Sequence, residues 1–187
     1  MIAVQVFGWC ALAVGMVAVE ILLGTKRPPH TDAAARSTDQ LMVLSTGVAL
    51  LGGLLGALVF PGLGIASWLA APAGLLTGVA GLWLRAAAMR RLGRHYTLTP
   101  VVSEGHRLVT GGPYRFVRHP GYTGIVLQLL GLALLAGSLA SVAFVLPVIA
   151  LLPLRIRVEE HQLVEYFGVA YRDYQRRTPY RFVVGLI

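Results

Sequence analysis

The residues able to do chemistry are concentrated in two polar stretches. The first, residues 92–122, holds His95, His106 and His119, Tyr96, Tyr114 and Tyr122 and a run of arginines, without a long helical pattern. Irregular loops of that length are uncommon unless they carry function. Gly111-Gly112-Pro113 reads as a turn, because glycine accepts positive φ and proline fixes the exit. Arg118-His119-Pro120 then opens an apolar segment, with proline at a helix start, where its missing N–H would be unpaired anyway. In the second stretch, residues 154–174, Leu163, Val164, Phe167, Tyr171 and Tyr174 recur at helical spacing and mark an amphipathic helix. Arg155 and Glu159 are four apart and share a face, whereas Glu160 is rotated about 100° away, so the two acids need not share a role. An arginine fork suits a carboxylate partner. The same spacing also describes an ordinary helical ion pair worth about 0.2–0.5 kcal/mol. Plain readings exist for the others too: Arg118 as a headgroup anchor, His119 as a capping or packing residue, and Tyr96, Tyr114 and Tyr122 as an interfacial aromatic belt. Tyr166, Phe167, Tyr171 and Tyr174 read as helix packing, and Glu104 and Glu165 as solvated. His95, His106, His119 and His161 lie far apart without ligand spacing, and Cys10 is alone, so no metal centre is expected.

What must position these residues is a membrane. Hydrophobic residues make up 56% of the 187 and charged ones 13%, about half the roughly 25% of a soluble protein. That excludes an ordinary soluble domain, and so much apolar material excludes disorder. Residues 1–24 carry one charge, Glu20, and residues 41–84 carry none. As one helix the latter block would be about 66 Å long, against a hydrocarbon core of about 30 Å, so it must be two spans. Phe60-Pro61-Gly62-Leu63-Gly64 is the turn between them. Residues 120–154 are again uncharged, and folding at Gly137-Ser138 gives a hairpin of two helices of roughly 16 residues, near the lower limit for spanning. The expected fold is an all-α integral membrane protein of about five transmembrane helices, the last two a hairpin, followed by a cytosolic C-terminal helix and loops.

The N-terminal run lacks the basic start of a signal peptide and reads as a retained helix. In the five-span arrangement all 16 basic residues fall on one side, which the positive-inside rule makes cytoplasmic, with the N-terminus outside. The net charge of +8 then reports orientation and attraction to anionic lipids rather than nucleic-acid binding, since no recognition motif accompanies it. Gly52-Gly53-x-x-Gly56 and Gly74-x-x-x-Gly78 are small-residue patterns for close helix packing within the chain. No G-x-G-x-x-G follows a predicted strand, so a dinucleotide-type fold is not indicated.

Gly105-His106-Arg107-Leu108-Val109-Thr110-Gly111-Gly112-Pro113-Tyr114-Arg115-Phe116-Val117-Arg118-His119-Pro120-Gly121-Tyr122-Thr123-Gly124 is followed, after a hydrophobic hairpin, by Arg155-x-x-x-Glu159-Glu160 and Phe167-Gly168-x-x-Tyr171-x-x-Tyr174. Together these resemble the isoprenylcysteine carboxyl methyltransferase family, part of a wider set of membrane methyltransferases that includes phospholipid N-methyltransferases. The resemblance covers about residues 92–177. It implies a pocket for S-adenosylmethionine on the cytosolic face, roofed by the C-terminal helix and loops, and an acceptor entering from the bilayer. Residues 1–90 become an N-terminal membrane region with three spans and 91–187 a catalytic region. Carried over by motif, His106, Arg107, Leu108 and Val109 run beside the cofactor with Tyr114 close by. His119, Pro120, Gly121 and Tyr122 line the pocket, Glu159 holds the cofactor, and Arg155 meets the acceptor carboxylate. Thr99 departs from the family's glutamine or asparagine, and Arg181 receives no role. The implied activity is methyl transfer to the carboxylate of a lipophilic, isoprenylcysteine-like acceptor. A lipid amine, sulfur or phenol is the alternative acceptor, and a nicotinamide-dependent membrane reductase the alternative activity.

Overall fold

The structure, a computed structural model, describes residues 2–23, 33–59, 67–93 and 107–182. Among these are seven α-helices and no extended strand: α1 (Ile2–Leu23), α2 (Ala33–Val59), α3 (Ser67–Leu92), α4 (Pro120–Ala136), α5 (Leu139–Ala143), α6 (Leu146–Phe167) and α7 (Val169–Arg177). Three stretches are long and apolar enough to cross a membrane, Arg36–Gly56, Trp68–Leu92 and Leu139–Phe167, and Phe7–Leu23 and Pro120–Ala136 are shorter apolar helices. The charge-free block 41–84 is indeed two helices, and the turn assigned to 60–64 lies outside the described residues. Phe7, Ile21, Leu51, Trp68, Leu76 and Trp83 are all exposed, which suits a lipid-facing surface and not a watery one. The interior is built on α6 and α4, where Val148, Leu152 and Ile156 are fully buried beside Leu129 and Leu132.

The closest packing joins α3 to α4 through glycines. A methyl group added at Gly131 would lie 2.5 Å from the Gly78 nitrogen, one at Gly81 2.6 Å from the Gln128 nitrogen, and one at Gly124 2.8 Å from Arg85 Cβ. In lipid no hydrophobic force draws helices together, so backbone-to-backbone contact through small residues supplies the dispersion attraction instead. The Gly74-x-x-x-Gly78 pattern thus serves packing within the chain. Gly53 does likewise, accepting a 2.6 Å hydrogen bond at its carbonyl from Ser141 Oγ on α5.

The last hairpin differs from expectation in its second arm. α4 ends as expected at Gly137, in the left-handed conformation with φ 68°. The returning chain is not one 16-residue helix. It makes the five-residue α5 and then α6, which passes through Pro153 and continues to Phe167. Pro153 removes one backbone donor, but no glycine follows to release the helix until Gly168, whose φ 56° and ψ −123° favour a residue without Cβ. The amphipathic segment read over 154–174 is therefore the end of α6, a break, and α7. Arg155, Glu159 and Glu160 consequently ride on the same rigid helix as the buried apolar core. Residues 178–182 then double back over the start of α4, with Arg118 N–H donating to Tyr180 O (2.9 Å) and His119 N–H to Arg181 O (2.7 Å).

Candidate active site

A cavity of about 460 Å³ lies between these helices, bounded by Arg107, Leu108 and Val109 on one side and by α1, α2, α3, α4, α6 and α7 on the others. Its size is that of a small-molecule site. Along α2 its wall passes from Asp39 through Met42, Val43 and Gly47 to Leu50, about 16 Å of helix. One part of the lining is thus charged and the other apolar.

The charged part is assembled from α1, α2, α3, α4 and α6, with a tyrosine of α7. Gly112, at φ 64°, turns the chain into a short 3₁₀ segment, Gly112–Arg115, that buries Tyr114. Tyr114 is held by its carbonyl, which accepts a 2.6 Å hydrogen bond from Tyr174 Oη on α7. His119, at the N-cap of α4, sits between the two acids of α6: Nδ1 is 3.7 Å from Glu159 Oε1 and Nε2 is 3.3 Å from Glu160 Oε1. Burial by itself would drive its proton off, but the charge and hydrogen bond of Glu159, joined by those of Glu160, outweigh desolvation and push its pKa up to about 9. His119 is therefore an imidazolium at neutral pH. Tyr122 Oη donates to Glu159 Oε2 at 2.9 Å and accepts from Arg155 Nε at 3.1 Å. The i,i+4 residues of α6 are thereby linked through a tyrosine of α4. Arg155, 3% exposed, also donates to Thr38 Oγ1 (3.1 Å) and Asp39 Oδ1 (3.2 Å) on α2. On the opposite wall Arg85 pairs with Glu20 and donates to Gly121 O at 3.1 Å, tying α1, α3 and the start of α4 together.

Of the residues singled out from sequence, Arg107, Leu108, Val109, Tyr114, His119, Gly121, Tyr122, Arg155 and Glu159 all line this one cavity. Pro120 does not line it: it is fully buried at the first position of α4, behind the wall. His106 lies outside the described residues, as do His95, Tyr96, Thr99 and Glu104. Glu165 is exposed, as expected of a solvated acid.

Other residues surpass their sequence reading. Arg118 is not a headgroup anchor. It is 7% exposed and points inward, donating to Glu160 Oε1 (2.6 Å), Thr178 O (2.7 Å) and Pro179 O (2.6 Å). Arg181 comes within 3.4 Å of Glu160 Oε2, so Glu160 clamps the returning chain while Glu159 faces the cavity. Phe167, Tyr171 and Tyr174, read as packing, line the cavity as well. Burial raises the Tyr171 and Tyr174 hydroxyls well above the ordinary phenol range, so both stay neutral donors. Glu20, Asp39 and Arg85 also belong to the site. The only signal for them is a lone charge bordering an apolar run, which in a membrane protein is costly enough to imply a partner.

The sequence profile of the isoprenylcysteine carboxyl methyltransferase family matches residues 74–165. A probable protein-S-isoprenylcysteine O-methyltransferase of rice (Oryza sativa subsp. indica) is 34% identical over 139 residues, 73% of this chain and 72% of the relative. Protein-S-isoprenylcysteine O-methyltransferase B of Arabidopsis thaliana is 35% identical over 123 residues, 64% and 62% of the two chains. The solved structure of a eukaryotic intramembrane Ras methyltransferase, isoprenylcysteine carboxyl methyltransferase, superposes with a TM-score of 0.61 at 29% identity, covering 78% of this chain and 53% of that one. This chain thus spans about half the length of that solved protein. With the rice relative matched over most of both chains and the shared helices superposing, the chain belongs to the isoprenylcysteine carboxyl methyltransferase family of integral membrane methyltransferases.

Proposed function

We propose that this protein transfers the methyl group of S-adenosylmethionine to the carboxylate of a lipophilic, isoprenylcysteine-like acceptor, at a site on the cytosolic face to which residues 91–187 bring the charged cluster and the N-terminal helices most of the apolar wall. The observation that carries this reading is the cavity itself, with a charged cluster of His119, Glu159, Tyr122 and Arg155 continuous with an apolar wall of Met16, Met42, Val43, Leu50 and Ile125. A soluble donor and a greasy acceptor need such a junction. The basic residues gathered on one side favour an N-terminus outside and the site within the cell.

The residues fit the donor. Gln162 lines the cavity and its Oε1 is buried without a partner, an acceptor that a ligand N–H or O–H would satisfy. Glu159 offers a carboxylate, and Tyr114 and Tyr122 offer ring faces that attract a cation. When bound, S-adenosylmethionine supplies an electrophilic methyl group on a sulfonium. The protein's part is to bind, align and exclude water. Each described carboxylate in the lining faces a cation: Glu20 meets Arg85, Asp39 meets Arg155 and Glu159 meets His119. His119 already carries its proton, so the cluster holds no poised general base. A carboxylate acceptor needs none, being ionised at neutral pH. An amine would have to lose a proton during transfer, so the electrostatics favour the carboxylate. Arg155, anchored on three sides, orients the acceptor, and alignment of this kind can supply about 7–11 kcal/mol of the barrier.

Calorimetry with purified protein and S-adenosylhomocysteine tests the donor half: saturable binding to wild type, weakened at least about tenfold in Glu159→Ala, is expected, and absence of binding would refute it. Arg155→Lys is expected to keep donor binding and lower turnover by roughly a hundredfold, because a lysine lacks the planar fork and misplaces the acceptor.

A further inference from the structure

Arg155 already holds a carboxylate. Asp39 Oδ1, on α2, lies 3.2 Å from Arg155 Nη2, and the other two guanidinium nitrogens donate to neutral hydroxyls, Nη1 to Thr38 Oγ1 and Nε to Tyr122 Oη, both at 3.1 Å. Asp39 is itself 8% exposed and forms part of the cavity wall. A carboxylate fork takes two parallel N–H bonds from one edge of the guanidinium. An incoming acid therefore shares Arg155 with Asp39 or displaces it.

We infer that Asp39 is a specificity-determining counterion, an internal competitor with the acceptor's carboxylate for Arg155. The inference rests on the reading of Arg155 as the acceptor-orienting group. Two unit negative charges about 6 Å apart, at an effective dielectric of about 20, repel by an amount equivalent to roughly a hundredfold in affinity. Relaxation of Arg155 toward the newcomer recovers part of this, leaving about tenfold. The consequence is directional. Transfer forms an oxygen–carbon bond on the acceptor as the sulfur–carbon bond of the donor breaks, its electron pair returning to sulfur, and the acceptor changes from an anion to a neutral ester. An ester no longer competes for the guanidinium, so Asp39 reclaims Arg155 and the product is let go. An acid is admitted only by trading against Asp39, which keeps its oxygen from being held so tightly that it loses nucleophilicity.

The test measures binding of N-acetyl-S-farnesyl-cysteine and of its methyl ester to detergent-purified wild type, Asp39→Asn and Asp39→Glu. Removing the competing charge in Asp39→Asn is expected to tighten the acid about tenfold while the ester moves less than twofold, and Asp39→Glu should retain the wild-type ratio. A purely bracing role predicts the opposite sign: acid binding unchanged or weaker in Asp39→Asn overturns the inference. Should asparagine disturb α2, Asp39→Ser makes the same charge change and is read in the same way. Methyl transfer is assayed in parallel with labelled S-adenosylmethionine. Tightening without transfer upholds Asp39 as the counterion and removes the proposed function. Transfer with no change in the acid-to-ester ratio removes Asp39 alone, and an acid that binds none of the proteins removes both.

Discussion

The start and the middle of α4 are secured by opposite means. From Gly124 to Gly131 it meets α3 with almost no side chains at all, and a single methyl group there would strike backbone. At Arg118, His119 and Tyr122 it is held by long polar side chains, each answered by a charge or carbonyl from α6 or from the returning residues 178–181. Surrounded by lipid, the seam depends on shape and is sensitive to added volume. The mouth, where Arg118 and His119 are buried, depends on charge balance and is sensitive to the loss of one member. The seam also serves the mouth, because it fixes α3 so that Arg85 reaches the Gly121 carbonyl while pairing with Glu20.

The sharpest way to break this contrast is at Glu160. Glu160→Ala leaves Arg118 buried with carbonyls alone and is expected to cost about 3–5 kcal/mol, read as a loss of thermal stability in detergent. At the seam, Gly131→Val should cost roughly 1–3 kcal/mol by overpacking. Gly47→Ala is its control: a Cβ there meets nothing within 4 Å, so the change should gain up to about 1 kcal/mol in helix propensity. The charge on His119 gives the mouth a pH dependence that the seam lacks. Its pKa is raised from 6.5 to about 9, so its contribution is complete below pH 6.5 and is lost as pH rises through about 9. The wild-type melting temperature should therefore fall over that interval, and His119→Gln should abolish the step. The smallest effect is Tyr174→Phe, which removes the bond to the Tyr114 carbonyl for about 1 kcal/mol.

Much of this architecture is legible in the sequence because lipid imposes a simple rule on charge. The uncharged run 41–84 could only be α2 and α3, and Gly137 could only be a turn. The length of α6 was not legible, since the first charges after Leu154 mark where a helix leaves lipid and not where it stops. In the site, the spacing of Arg155 and Glu159 predicts a shared face, and Tyr122 completes their connection from α4. The partner of Arg155 on α2 and the inward turn of Arg118 are invisible along the chain. Asp39 is 116 residues from Arg155, and a basic residue next to an apolar helix has the same local pattern whether it faces headgroups or a buried acid. Glu20 and Arg85 likewise meet only through the packing of α1 against α3.

The proposed methyl transfer to a lipophilic carboxylate takes place in the cavity where Arg155 and Glu159 meet at Tyr122. Its most direct test is incubation of the purified protein with methyl-labelled S-adenosylmethionine and N-acetyl-S-farnesyl-cysteine, followed by extraction and treatment with base. Label is expected in the lipophilic fraction, released by base as methanol and severely reduced in Arg155→Lys. Label that survives base, or transfer undiminished in Arg155→Lys, would contradict the proposal.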